Sequence, residues 1–141
     1  YTANLDGSGV PTEFLNPADR IFDMKFDATN QKLYFTGFDG DKLYSVNADG
    51  TGFTTLFSGV NGAVGFDIDL ANNKVYLASY LDKKIFSGNL DGTGTLQNLY
   101  TTINNIWYVT INLTSGDLFF SQQAGPLVKG SIDGSLTNFV I

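Results

Sequence analysis

The chain has 141 residues, 43% hydrophobic and 14% aromatic, with twelve Phe, seven Tyr and sixteen Gly, enough apolar surface for one ordinary core. Its formal net charge of −6, fourteen acidic against eight basic residues, excludes nucleic acid or an anionic membrane surface as an electrostatic partner. No apolar run approaches the ~18 residues of a membrane span, and without His or Cys the chain has no His-based acid–base pair, Cys nucleophile, disulfide or ordinary zinc site.

The first residues, YTANLDGSG, read as a short strand (1–4) entering an Asp-Gly turn at Asp6 and Gly7, and TEFL (12–15) as the strand that leaves it. NPADR (16–20) is too short for a helix. IFDMKFD (21–27) is a strand ending in Asp, followed by the turn ATNQK. LYFT (33–36) and LYSVN (43–47) are strands joined by an acidic, Gly-containing turn. NADGTG turns the chain into a fourth strand, TTLF (54–57).

The same text then returns twice. AVGFDID (63–69), VYLA (75–78), IFSGN (85–89) and QNLY (97–100) form the second unit; IWYVTIN (106–112), LFFS (118–121), LVKGS (127–131) and NFVI (138–141) form the third. Asp6, Asp49, Asp91 and Asp133 mark the recurrence, spaced by 43, 42 and 42 residues. This predicts fourteen strands and no helix. The second strand of each unit is apolar at nearly every position, as in a strand buried on both faces. The Asp-Gly pairs follow from turn chemistry: Gly tolerates positive φ, and the Ser or Thr after it can bond the Asp carboxylate.

A four-stranded unit repeated about every 42 residues builds either the blades of a β-propeller or the three leaves of a β-trefoil. Length alone suits the trefoil. Strands buried on both faces, and a repeat that starts with an extra half unit, favour the propeller. The expected organisation is one propeller segment, 1–141: an outer strand pair of an incomplete blade (1–15), then blades at 16–58, 59–101 and 102–141.

The series of an apolar strand ending in Asp, a short turn, Leu-Tyr-Phe-Thr, a turn, Lys-Leu-Tyr-Ser and Asn-x-Asp-Gly-Thr-Gly resembles the YWTD repeat of low-density-lipoprotein-receptor-type (class B) β-propellers. The box reads Tyr34-Phe35-Thr36-Gly37, Tyr76-Leu77-Ala78-Ser79 and Phe119-Phe120-Ser121-Gln122, without its Trp and final Asp, so the resemblance is to a divergent member. It implies an all-β fold acting as an extracellular binding platform of six blades rather than an enzyme, although related six-bladed folds host hydrolases and lyases. Three and a half blades do not close a ring, so the ring is expected to be completed by another chain, in a homodimer or a hetero-complex.

In a four-stranded blade, the loops joining strands two and three share a rim with the segments joining successive blades. That rim carries Phe38 and Asp39, Tyr80 and Asp82, and Gln122 and Gln123, with Asp19, Arg20, Asn61, Asn104, Asn105 and Trp107 from the joining segments and Tyr108 next to Trp107. Trp107 reads either as packing between blades or as a plate for a sugar or a protein anchor. No catalytic residues and no cofactor are predicted. Asp23 and Asp67, in the innermost strands, are the carboxylates through which Ca²⁺ would enter. Asp27, Asp69 and Asn112 cap the turns after those strands. The triplet Asn112-Leu113-Thr114 is a glycosylation acceptor sequence. The expected function is non-catalytic binding of protein or glycan by a secreted scaffold. The alternatives are a small accessory subunit of a secreted complex and a Ca²⁺-dependent six-bladed hydrolase.

Overall fold

The computed structural model describes residues 1–135 and the strand Phe139–Val140. Twelve strands among them form three separate antiparallel sheets. The first contains β1 (Ile21–Asp27), β2 (Lys32–Gly37), β3 (Lys42–Asn47) and β4 (Thr54–Ser58). The second contains β5 (Ala63–Asp69), β6 (Lys74–Ser79), β7 (Lys84–Asn89) and β8 (Gln97–Thr101). The third contains β9 (Ile106–Asn112), β10 (Asp117–Gln122), β11 (Leu127–Ser131) and β12 (Phe139–Val140). Each sheet is a simple meander in which sequence neighbours pair. Three such sheets, stacked face to face, are not a β-trefoil. No helix among the described residues is long and apolar enough to cross a membrane.

Alternation along the strands explains why their apolar runs are unbroken. Tyr34, Leu43 and Phe57 face the second sheet and pack with Phe66, Val75 and Leu77. The intervening Tyr76 and Ala78 face the third sheet, packing with Ile106, Val109, Leu118 and Phe120. Both faces of the middle sheet are therefore core, and each Val, Leu, Ile or Phe buried there contributes roughly 1.5–3 kcal/mol. The innermost strands β1, β5 and β9 lie side by side.

Residues 1–15, expected to be two strands, form a single antiparallel bridge. Thr2 and Thr12 exchange backbone hydrogen bonds of 2.8 and 2.9 Å, and no strand extends beyond them. The half unit is nevertheless seated as the repeat implies. A Cβ at Gly50 would meet Phe14 at 3.6 Å, just as one at Gly92 would meet Leu56 (3.2 Å) and one at Gly134 would meet Leu99 (3.3 Å). Phe14 and Leu15 thus cover the outer face of the first sheet, against Phe35, Tyr44 and Val46.

The turns hold as their chemistry requires. Gly7, Gly50, Gly92 and Gly134 all have positive φ, between 76° and 85°. The Asp before each accepts the N–H of the following Ser8, Thr51, Thr93 or Ser135 at 2.9 Å. At the strand ends, Asp27 accepts from Thr29 and Asn30, Asp69 from Asn72, and Asn112 from Thr114 and Ser115. Burial works to raise the Asp27 carboxyl, but its hydrogen bonds from Asn30 and Thr29 outweigh that and hold it below the ordinary value.

These bonds set a pH dependence. The hydroxyls of Thr51, Thr93 and Ser135 lower the carboxyls of Asp49, Asp91 and Asp133, the last to about 2, and the Ser8 N–H lowers Asp6. A carboxyl depressed in the folded state adds stability above its unfolded pKa and loses it as pH falls through the folded one. The melting temperature is expected to be level down to about pH 4 and to fall between about pH 4 and pH 2. A melting curve unchanged at pH 2 would contradict this.

Candidate functional site

An irregularity recurs at one place in each innermost strand. The β1–β2 register shifts between Ile21 and Met24, the β5–β6 register between Ala63 and Phe66, and the β9–β10 register between Ser121 and Gln122, leaving Trp107 without a partner. Such bulges re-aim side chains. Here they turn Phe22 and Trp107 toward each other, so that residues two sheets apart stack with centroids 5.7 Å apart and planes at 12°. Tyr80 approaches Trp107 to 4.4 Å, Phe38 lies 6.2 Å from Tyr80, and Tyr108 sits 5.5 Å from Phe22.

The structure therefore gathers Phe38, Tyr80, Trp107 and Tyr108 into one aromatic cluster. It adds Phe22, which the sequence reading did not single out. Phe22 is the second residue of its innermost strand, as Trp107 is of its own, and that shared repeat position was the available signal.

The polar residues of this rim are largely occupied with one another. Arg20 pairs with Asp39 at 2.6 Å and lies over the Phe38 ring at 4.4 Å; both ends of the ion pair are exposed, so it adds little stability. Asn61 donates to Asp82 at 2.7 Å, Asn104 to Gln122 at 3.2 Å, and the Tyr80 hydroxyl to Gln123 at 2.7 Å. Asp19 accepts the N–H groups of Asp39 and Gly40 and the Tyr44 hydroxyl. Burial, reinforced by that Asp19 bond, pushes Tyr44 up to about 12.

The rim also exposes large apolar side chains. Leu81 is 57% and Ile103 is 89% exposed. Leu81 and Phe38 both press on Gly62, where a Cβ would meet them at 3.1 and 3.2 Å. The Ile103 turn is tied to the Leu81 loop by the bond from Thr102 N–H to the Lys83 carbonyl.

Asp23 and Asp67 lie away from this rim cluster's polar pairs and act across the sheet junctions. Asp23 accepts the N–H of Phe66 at 3.1 Å. Asp67 accepts the Thr110 hydroxyl at 2.8 Å and the Ile111 N–H at 3.0 Å. Among the described residues, no three Asp or Glu side chains are grouped as a metal site would need.

No protein-family model and no curated protein matches the sequence. Solved structures do match. A chain of the nidogen/laminin complex superposes with a TM-score of 0.78 at 19% identity, over 87% of this chain and 49% of its own. Streptogramin B lyase gives 0.74 at 17%, over 98% and 46%. A catalytically inactive histidine-to-alanine variant of virginiamycin B lyase from Staphylococcus aureus, with quinupristin, gives 0.73 at 18%, over 98% and 47%. The fold is that of a β-propeller. At such identities the likeness concerns fold alone, and the chain spans about half the length of each structure it matches. The three sheets are three blades of a partial propeller, with β1, β5 and β9 as the innermost strands.

Proposed function

We propose that this chain is a divergent YWTD-type propeller segment that works as a non-catalytic platform, binding another protein through the rim that carries Phe38, Tyr80 and Trp107. The observation behind this reading is the division of labour on that rim. Several of its polar side chains pair with one another, whereas Leu81 and Ile103 stand in solvent beside half-buried aromatics. An apolar centre with a partly paired polar border has the make-up of a protein contact. The nidogen/laminin structure, a propeller found in complex with a protein, supports the same reading.

Completion of the ring by another chain belongs to the proposal. Its support is Met24 and Phe26 on one open face, 58% and 54% exposed, and Leu127 on the other, 47% exposed. Residues 1–15 fit an outer strand pair in that scheme, since Phe14 meets the first blade as Leu56 and Leu99 meet the next two. An extracellular setting is also proposed, supported by the exposure of Asn112 in its Asn-Leu-Thr triplet.

The test places a photo-crosslinking residue at Leu81 or Ile103 and, as the opposite-rim control, at Leu113. Crosslinks to a discrete partner protein are expected at the first two positions and not the third. Equal capture at Leu113, or none at Leu81 and Ile103, would remove the rim from consideration.

A further inference from the structure

A polar cavity lies between the first two blades at the rim opposite the aromatic cluster, with a volume of about 510 Å³. Both its walls are complete sheets of this chain, whereas the cavities beneath residues 1–15 open on a face that a further blade would cover. We propose that it is a binding site for one neutral monosaccharide unit.

The first observation is an orphaned hydroxyl. Ser45 is fully buried, lines this cavity, and its Oγ has no hydrogen-bond partner. Its strand partners Tyr34 and Thr54 share its face of the sheet and line the same space. A buried hydroxyl without a partner is costly, and native structures keep few of them. The junction between the second and third blades carries a polar bridge that the first junction lacks. There the Tyr100 hydroxyl donates to the Ser131 carbonyl at 2.6 Å and accepts the Ser131 N–H at 2.8 Å. Phe57 takes the place of Tyr100 at the first junction, packing on Gly88 as Tyr100 packs on Gly130, and offers no polar group.

The chemistry of the walls selects the ligand. Lys32 and Asp91 both line the cavity, so neither a net anion nor a net cation is favoured. Asp91 Oδ1 takes two hydrogen bonds from Thr93 and Oδ2 one from Asn73, which leaves a lone pair for a ligand hydroxyl. Leu56 and Leu90 supply an apolar wall for ring C–H groups. Several hydroxyl and amide groups around an apolar patch match a hydroxyl-rich, uncharged ring, and the volume lies within the range of small-molecule sites, roughly 300–1,000 Å³.

Amide NMR spectra of the full chain would be recorded against D-glucose, D-galactose, D-mannose and N-acetyl-D-glucosamine, each to about 50 mM, which fills a site of millimolar Kd. Saturable shifts are expected at Tyr34, Ser45, Asn73 and Asp91 with at least one sugar. Ser45→Ala should keep the wild-type melting temperature, since it deletes an unpaired hydroxyl, and weaken that sugar about tenfold or more. Asp91→Asn is the second variant, with the same expected loss. No saturable shift with any of the four sugars, an equal shift with glycerol (an adventitious additive only), or undiminished binding in both variants would overturn the proposal. The outcome is independent of crosslinking at Leu81, on the other rim.

Discussion

Gly65→Ala should lower the free energy of unfolding by about 3 kcal/mol, although Gly65 has an ordinary φ and lies in the middle of a strand. The cause is the approach of the third blade. A Cβ there would sit 2.7 Å from the Tyr108 Cα and 2.8 Å from the Trp107 carbonyl oxygen. Both contacts are backbone, which cannot rotate aside as a flexible side chain would. The two innermost strands would have to separate, opening the junction that buries Val64, Ile106 and Val109. Gly59→Ala is the matched control. Gly59 has φ 75° and nothing within 4 Å of its Cβ position, so that substitution reports backbone strain alone, about 1 kcal/mol. Urea unfolding of the two variants decides the matter. If Gly65→Ala lost no more than Gly59→Ala, close inter-blade packing would not be what holds the second and third blades together.

The contrast between these two glycines shows what could be read before the structure. Positive φ at Gly7, Gly50, Gly92 and Gly134 was legible from the Asp-Gly-Ser/Thr text, because the demand is local. The innermost strands, Ile21–Asp27, Ala63–Asp69 and Ile106–Asn112, were legible for a similar reason: each ends at an Asp or Asn that starts a turn. Gly65 gave no such sign, since its need arises from a strand some forty residues downstream. The bulges were equally hidden. An extra residue in one strand is defined only against its pairing partner, so the stacking of Phe22 on Trp107 followed from pairing and not from either residue's neighbours. Residues 1–15 erred in the other direction. Their text matches the repeat, but with no third or fourth neighbour to pair against, the ladder shrinks to the Thr2–Thr12 bridge. The fourth strand of the last unit lies partly outside the described residues, which include only Phe139–Val140 of it.

Asp67→Ala should cost about 2 kcal/mol, more than Asp23→Ala, because Asp67 makes two bonds to the next blade where Asp23 makes one. Hydrogen bonds to a charged acceptor are each worth roughly 1.5–3 kcal/mol when shielded, and Asp67 is only half-buried, so the lower part of the range applies. Removing the carboxylate strands the Ile111 N–H at the junction and releases the Thr110 hydroxyl. A double-mutant cycle with Thr110→Val isolates the direct pair, and a coupling of about 1 kcal/mol is expected. Asp67 was, with Asp23, one of the two carboxylates through which Ca²⁺ would enter, and the two roles make opposite demands. A hard cation wants six or more oxygens with lone pairs to spare. Of the four lone-pair positions on Asp67, one is taken by Ile68 N–H, one by Ile111 N–H and one by the Thr110 hydroxyl. Millimolar Ca²⁺ is therefore expected to leave the melting temperature unchanged in both wild type and Asp67→Ala. A Ca²⁺-dependent rise that disappears in the variant would make Asp67 a ligand and not a latch between blades.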